Sequence, residues 1–305
     1  MGERPPTITT STNQREKGNM LTTGKVILDV AHEHSFAVPA FNISDYAMFL
    51  GIIDISEEKN APVILGIHPD EVQHVGVEMI TAVTQRAHRS SVPIAIHWDH
   101  GATYEQILTA IHSGFTSVMI DGSMLPFEEN IAISKKVVHA AHAVGLSVEG
   151  ELGTIGQTDS EAEGGSDAII YTNPDDAVAF VQSTQVDSLA VAIGTYHGIY
   201  PEALKPELKL DLLKQIKDKV DIPLVLHGGS NNPDDEVAEA VKLGINKINI
   251  SSDIKVAYHK KMREVLADDS LREPLLIQPP CIAAMKVVAA QKIELFDTAG
   301  KASLY

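Results

Sequence analysis

A single-domain (β/α)8 barrel, the TIM-barrel class of α/β fold, is predicted by three observations. Eight apolar runs of strand length alternate with helix-like segments, in units of about 20–40 residues. No shift in composition divides the 305 residues, and that length is ordinary for one such barrel. The polar, chemistry-bearing residues gather at the C-terminal ends of the runs, where barrels of this class carry their active sites.

The eight runs are 37–43 (AVPAFNI), 62–67 (PVILGI), 93–100 (PIAIHWDH), 117–123 (SVMIDGS), 147–153 (SVEGELG), 188–195 (SLAVAIGT), 223–229 (PLVLHGG) and 247–253 (KINISSD). Most are continuously apolar, as strands buried on both faces of a parallel sheet are. Pro62, Pro93 and Pro223 open three of them, a position that tolerates the missing N–H. Between the runs, Pro126 followed by Glu128 and Glu129 starts a helix that stops at Gly145. Asn173-Pro174-Asp175-Asp176 has a cap, a first-turn proline and acids favoured by the helix dipole, and Asn232-Pro233-Asp234-Asp235 repeats the pattern. A doubly wound open sheet is the main alternative, but no G-x-G-x-x-G follows a strand.

Two segments stand outside the repeat. Residues 154–173 form a long acidic, glycine-containing connection after the fifth run, and a loop of that length on the catalytic face reads as a lid or binding loop. Residues 283–296 (AAMKVVAAQKIELF) read as a last helix before a polar tail. Residues 1–19, polar and rich in Thr and Pro, read as a disordered leader ahead of a barrel spanning 20–305.

The formal net charge of −17 argues against nucleic acid and anionic membranes as partners. An anionic small molecule then needs a local positive site, such as a metal, backbone amides or a single basic side chain. No apolar stretch reaches the ~20 residues of a membrane span. The single cysteine, Cys281, excludes an internal disulfide and fits a reducing, cytoplasmic compartment.

Three histidines, His100, His197 and His227, close or follow the third, sixth and seventh runs. Brought together on one face, three imidazoles hold a divalent metal and leave a position for substrate. The neighbouring run ends add Asn42, Asp99, Asp121, Ser123, Glu149, Glu151 and Asn249; carboxylates in apolar strands are costly unless they bind something. The glycines after His227 and the serines Ser251-Ser252 fit the phosphate site that the last two strand–helix loops of barrels build from backbone amides. Of the thirteen histidines, nine others, including His68 and His259, fall to structural or surface roles, and His97 shares the third run with a proposed ligand.

The segments AFN, H-x-DH, MIDGS with PFEEN, VEGELG, DSLAVAIGTYHG, PLVLHGGS and KINISSDIK occur in order from about Met20 to Phe296. In that order they resemble the class II, metal-dependent ketose-bisphosphate aldolases, of the tagatose- and fructose-bisphosphate branch. The resemblance implies reversible aldol cleavage of a ketose phosphate to dihydroxyacetone phosphate and an aldehyde through a zinc-stabilised enediolate. It makes His100, His197 and His227 zinc ligands, Asp121 and Glu151 ligands of a more buried alternative position, and Asp99 the catalytic acid/base. Gly198, Gly228, Gly229, Ser230, Asn249, Ser251 and Ser252 become the phosphate site, with Asn42 beside them. It further implies a monovalent cation (Na+ or K+) near the phosphate and a homodimer or homotetramer. The competing readings are another metal-dependent barrel enzyme on sugar phosphates, an isomerase or hydrolase, and a catalytically altered paralogue with a non-phosphorylated acceptor.

The sequence departs from the family's pattern at three places. Trp98 replaces an aliphatic residue. The lid glutamate eight residues after Glu151 is Asp159, with Glu161 and Glu163 nearby. The basic segment near the second phosphate reads DDSLREPLLIQPP, with Arg272 as its candidate substitute.

Overall fold

The structure is a computed structural model that describes residues 20–158, 166, 168–200 and 207–305; the predicted leader, Asp159, Glu161 and Glu163 lie outside the described residues. Eight parallel strands close into a barrel: β1 (Val38–Asn42), β2 (Val63–Ile67), β3 (Ile94–Gly101), β4 (Ser117–Ile120), β5 (Ser147–Leu152), β6 (Ser188–Val191), β7 (Leu224–Leu226) and β8 (Ile245–Ile250). Each pairs with its sequence neighbours, and β8 closes on β1 through Val38↔Lys247 to Phe41↔Ile250. All eight predicted runs are barrel strands, in the predicted order.

The helices are α1 (Gly24–Glu33), α2 (Tyr46–Glu58), α3 (Pro69–Val75), α4 (Glu78–Ala87), α5 (Tyr104–Ser113), α6 (Phe127–His142), α7 (Pro174–Thr184), α8 (Leu210–Lys217), α9 (Asp234–Lys242), α10 (Ser252–Val265) and α11 (Pro274–Leu295). The predicted cap of α7 forms: Asn173 Oδ1 accepts from the amides of Asp175 and Asp176 at 2.8 and 3.3 Å. The matching reading at Asn232 is corrected. Its Nδ2 donates to the carbonyls of Gly228 (2.6 Å) and Ser230 (3.1 Å), and Pro233 stands at the helix start. Its Oδ1, the atom a cap would use, accepts from the Tyr200 hydroxyl at 3.1 Å instead. Helix α11 also starts earlier than predicted, running through Pro279 and Pro280. The carbonyls those prolines fail to bond belong to Leu275 and Leu276, which are 73% and 54% exposed and so open to water.

Side chains alternate in and out along a strand. Between strands and outer helices lies the main apolar core. Inside the barrel, the N-terminal end is a separate apolar plug in which Ile27, Leu28 and Ala31 of α1 pack with Phe36, Val38, Ala40, Ile64 and Ala95. The chain end adds Tyr305, whose hydroxyl donates to Ile27 O at 2.8 Å. Moving up β3 in steps of two, Ala95 gives way to His97 and then Asp99. On β5 the steps are Ser147, Glu149 and Glu151, and on β8 they are Lys247 and Asn249. The interior turns from apolar to charged within one barrel height.

Candidate metal and catalytic site

Local backbone irregularities aim the site. Consecutive strand residues point to opposite faces, yet Asp99 and His100 both face the same cavity. His100 has φ 50°, and the β3–β4 register shifts between Trp98 and Gly101; this bulge turns both side chains inward. His197 is held by a feature the sequence did not reveal, a two-residue parallel ribbon of Gly156–Gln157 with Tyr196–His197. Thr158 adds two bonds to the His197 carbonyl, from its amide at 3.0 Å and its hydroxyl at 2.7 Å. His227 follows β7 directly, and Gly228 turns away at φ 62°.

The fold brings the predicted ligands together. His100, His197 and His227 each offer a ligand atom within 4.8 Å of the others, and so do His100, Asp121 and Glu151. His100 meets His227 edge-on, with ring centroids 4.7 Å apart. His227 Nδ1 and Glu151 Oε2 are buried with no hydrogen-bond partner among the described residues, and they face each other at 3.7 Å. Two such orphans are costly in a folded protein. Imidazole nitrogen and carboxylate oxygen are both zinc donors, so the residues fit the metal.

The local charge also calls for a cation. His100 Nδ1 bonds Asp121 Oδ2 at 3.0 Å, and Asp121 Oδ1 accepts from the Ser123 amide and hydroxyl at 3.0 and 2.6 Å. Burial opposes charge on His100, but the carboxylates of Asp99, Asp121 and Glu151 outweigh it and lift the imidazole to about 10. Burial likewise pushes Asp121 up, and its bonds to His100 and Ser123 more than reverse this. Glu151 is held well above the usual carboxylate range by burial and by the Asp121 charge.

Asp99, 1% exposed, accepts from Asn42 Nδ2 at 2.7 Å and from Asn249 Nδ2 at 3.1 and 3.2 Å. Burial raises its pKa, but His100, Lys247, His227 and His97 together hold it well below the usual value. Beneath it lies a second connected group, in which Lys247 links Glu149 and His97 in a way the sequence does not show. Lys247 Nζ donates to both oxygens of Glu149, at 3.0 and 2.8 Å. Glu149 Oε1 meets His227 Nε2 at 2.8 Å, and His97 Nδ1 meets Ser117 Oγ at 2.7 Å. Burial, reinforced by Lys247, lowers His97 to about 3, so its approaches to Asp99 and Glu149 at 3.8 and 3.9 Å are not ion pairs. The i, i+2 spacings of Glu149 with Glu151 and of Lys247 with Asn249 were the available signal, since they put each pair on one strand face.

A cavity of about 260 Å³ opens above these groups, lined by Asn42, Asp99, His100, His197, Gly198, Gly228, Ser230, Asn249, Ser251 and Ser252. Asp121, Ser123 and Glu151 line a smaller neighbouring cavity with His100. Gly228 is forced by contact as well as by its φ, because a Cβ there would lie 2.4 Å from the Tyr196 carbonyl. Gly229 does not line the cavity; its amide donates to Asn249 O at 3.1 Å, tying β7 to β8. One end of the cavity is walled by Lys255, His259 and Arg263 of α10, four residues apart on one helix face. Arg272, the expected basic residue, is instead 86% exposed beside Glu273. Trp98 packs edge-on against Phe115 at 5.2 Å, away from the cavity, so that departure from the family pattern leaves the site intact.

Fold and site together describe a closed parallel barrel with a candidate divalent-metal centre at its C-terminal end. The profile of the class II fructose-bisphosphate aldolases matches residues 22–301. The chain is 38% identical to the fructose-bisphosphate aldolase of Geobacillus stearothermophilus over 289 residues, covering 93% of this chain and 99% of the relative. Among solved structures it is similar to the YdjI aldolase of Escherichia coli K12, with 34% identity, TM-score 0.81, and 93% and 100% of the two chains covered. A putative fructose-1,6-bisphosphate aldolase from Coccidioides immitis superposes with TM-score 0.83 at 29% identity, covering 95% and 100%. The chain belongs to the class II fructose-bisphosphate aldolase family. It is a metal-dependent carbon–carbon lyase of the TIM-barrel fold, and its divalent metal is the zinc of that class.

Proposed function

We propose that this aldolase cleaves a ketose phosphate to dihydroxyacetone phosphate and an aldehyde, with zinc held by His100, His197 and His227 and with Asp99 as acid/base. The observation that carries the reading is the placement of Asp99, His100 and His197 on the cavity wall that also bears Gly228, Ser230 and the α10 N-terminus. When bound, the zinc supplies Lewis-acid polarisation of the substrate carbonyl and its neighbouring oxygen.

The chain's own groups do the rest. The N-terminal end of α10 with Ser251 and Ser252, and the Gly198 and Gly228–Ser230 loops, cradle the phosphate through amides and hydroxyls. Asn42 and Asn249 hold the Asp99 carboxylate in one orientation. In cleavage Asp99 takes the proton of the C4 hydroxyl, and in synthesis it returns that proton to the new alkoxide. Asp121 and Glu151 offer an alternative metal position. Asp159 is the proposed lid acid, with Gly229 supporting the phosphate loop and a monovalent cation beside the phosphate. A homodimer or homotetramer in the cytoplasm completes the proposal. No helix among the described residues is long and apolar enough to cross a membrane.

Dialysis against a chelator should abolish cleavage and zinc should restore it; activity that survives complete metal removal would overturn the reading. Asp99→Ala should lower turnover by roughly 10²–10⁴ with zinc still bound, and near-normal turnover would take Asp99 out of its role. Exchange of a dihydroxyacetone phosphate proton in heavy water, with no aldehyde present, is expected for the donor half-reaction, and its absence would argue for other chemistry.

A further inference from the structure

We propose that the buried Lys247–Glu149 ion pair is the positioning device of the metal ligand His227: it fixes which ring nitrogen faces the metal and thereby sets zinc affinity. The inference rests on the three-histidine zinc site proposed above. Its evidence is a chain of hydrogen-bond directions.

An ammonium group only donates. Lys247 Nζ lies 3.0 and 2.8 Å from the two oxygens of Glu149, so both oxygens are acceptors. Glu149 Oε1 also lies 2.8 Å from His227 Nε2. That nitrogen must therefore carry the proton, and Nδ1 must carry the lone pair. Nδ1 is the atom left without a partner in the interior, on the side where Glu151 Oε2 stands at 3.7 Å. The same logic runs through His97. Its Nε2 faces Lys247 Nζ at 3.5 Å and accepts, so Nδ1 is the donor to Ser117 Oγ at 2.7 Å.

The pair joins β5 to β8 across the barrel, and Lys247, Glu149 and His227 are 0%, 2% and 1% exposed. A buried ion pair seldom improves stability over an apolar substitute of the same volume. Its position under a ligand explains it better. A carboxylate on the distal nitrogen fixes the tautomer and ring orientation of a metal-binding histidine, and here a lysine keeps that carboxylate an acceptor.

The test compares Lys247→Met, Glu149→Gln and the double variant with the wild type. Zinc dissociation constants come from chelator competition, and melting midpoints from the metal-free proteins. The double variant removes both charges at nearly constant shape, so it should melt at or above the wild type. All three should bind zinc roughly 10–100-fold more weakly. Zinc binding by the double variant within threefold of wild type would show a purely structural pair and overturn the proposal. Should the variants fail to fold, histidine side-chain nitrogen resonances of the zinc-loaded wild type decide it. Zinc on Nδ1 of His227 with Nε2 protonated is expected, and zinc on Nε2 overturns it. His227→Ala separates the two levels: normal zinc affinity there sinks the three-histidine site itself. Lost affinity there with normal affinity in the double variant sinks only the role of the pair.

Discussion

The two ends of the barrel interior are built from the same strands and do opposite work. At the N-terminal end, Val38, Ala40, Ile64 and Ala95 meet α1 and Phe36 in an apolar plug. Two to four residues further along, β1 and β3 present Asn42, His97 and Asp99, and at that level β5 and β8 add Glu149 and Lys247, all buried. The plug gains from water exclusion, about 1.5–3 kcal/mol for each large side chain fully buried. The upper end gives some of that up to hold charges in fixed orientations. Stability and reactivity are therefore separated along the strand axis, and substitutions at the two ends should have separable effects.

The largest expected effect is at the upper end. His100→Ala removes a proposed zinc ligand, and the loss of several kcal/mol of transition-state stabilisation should lower turnover by on the order of 10³ or more. The substitution also takes from Asp99, Asp121 and Glu151 the imidazole that they surround, so the metal-free protein should melt below the wild type. Zinc affinity should fall as well, and turnover near the wild-type value would remove His100 from the metal site.

Phe36→Ala is the counterpart at the base. The ring is fully buried, and its loss should cost about 3–5 kcal/mol, read as a fall in the denaturation midpoint. Turnover and KM of the folded protein should stay within about twofold of wild type. A change in turnover comparable to the stability loss would show that the plug communicates with the site. Gly228→Ala lies between the two. At φ 62° and 2.4 Å from the Tyr196 carbonyl, an added Cβ should cost about 1–3 kcal/mol. It should also raise KM for the phosphorylated donor more than it lowers turnover; an unchanged KM would remove Gly228 from the phosphate site.

Much of this division is legible in the sequence, for a physical reason. Strand C-termini must converge in a closed parallel barrel, so topology brings His100, His197 and His227 to one end once the eight runs are recognised. What the sequence hides depends on backbone detail or on contacts across the barrel. Lys247 reads as a strand opener, yet it lies inside the barrel, where its Nζ reaches Glu149. The inward turn of both Asp99 and His100 depends on a left-handed residue that periodicity cannot show. The ribbon that holds His197 is two residues per strand, too short for any pattern. Lys255, His259 and Arg263 reach the cavity only because α10 departs along its wall; in sequence they resemble any solvated helix face.

The smallest expected effect uses the outer ring as a control for the buried pair. Glu57 of α2 accepts from Arg86 at 3.1 and 2.8 Å and from the Ser91 amide at 3.1 Å, an arrangement chemically like Lys247–Glu149 but with the Glu57 side chain 25% exposed. Partial burial raises its pKa, and the bonds from Arg86, Ser91 and Ser90 outweigh this, so the net shift is downward. A carboxylate depressed in the folded state contributes stability above its unfolded value of about 4.5, and that contribution is lost as pH falls through the folded value. Glu57→Gln should therefore cost no more than about 1 kcal/mol at pH 7, with the difference from wild type shrinking as pH falls below about 4.5 and zinc affinity unchanged. If Glu57→Gln weakened zinc binding as much as Glu149→Gln, the sensitivity of the upper end would reflect general loosening of the barrel rather than the position of one carboxylate under one histidine.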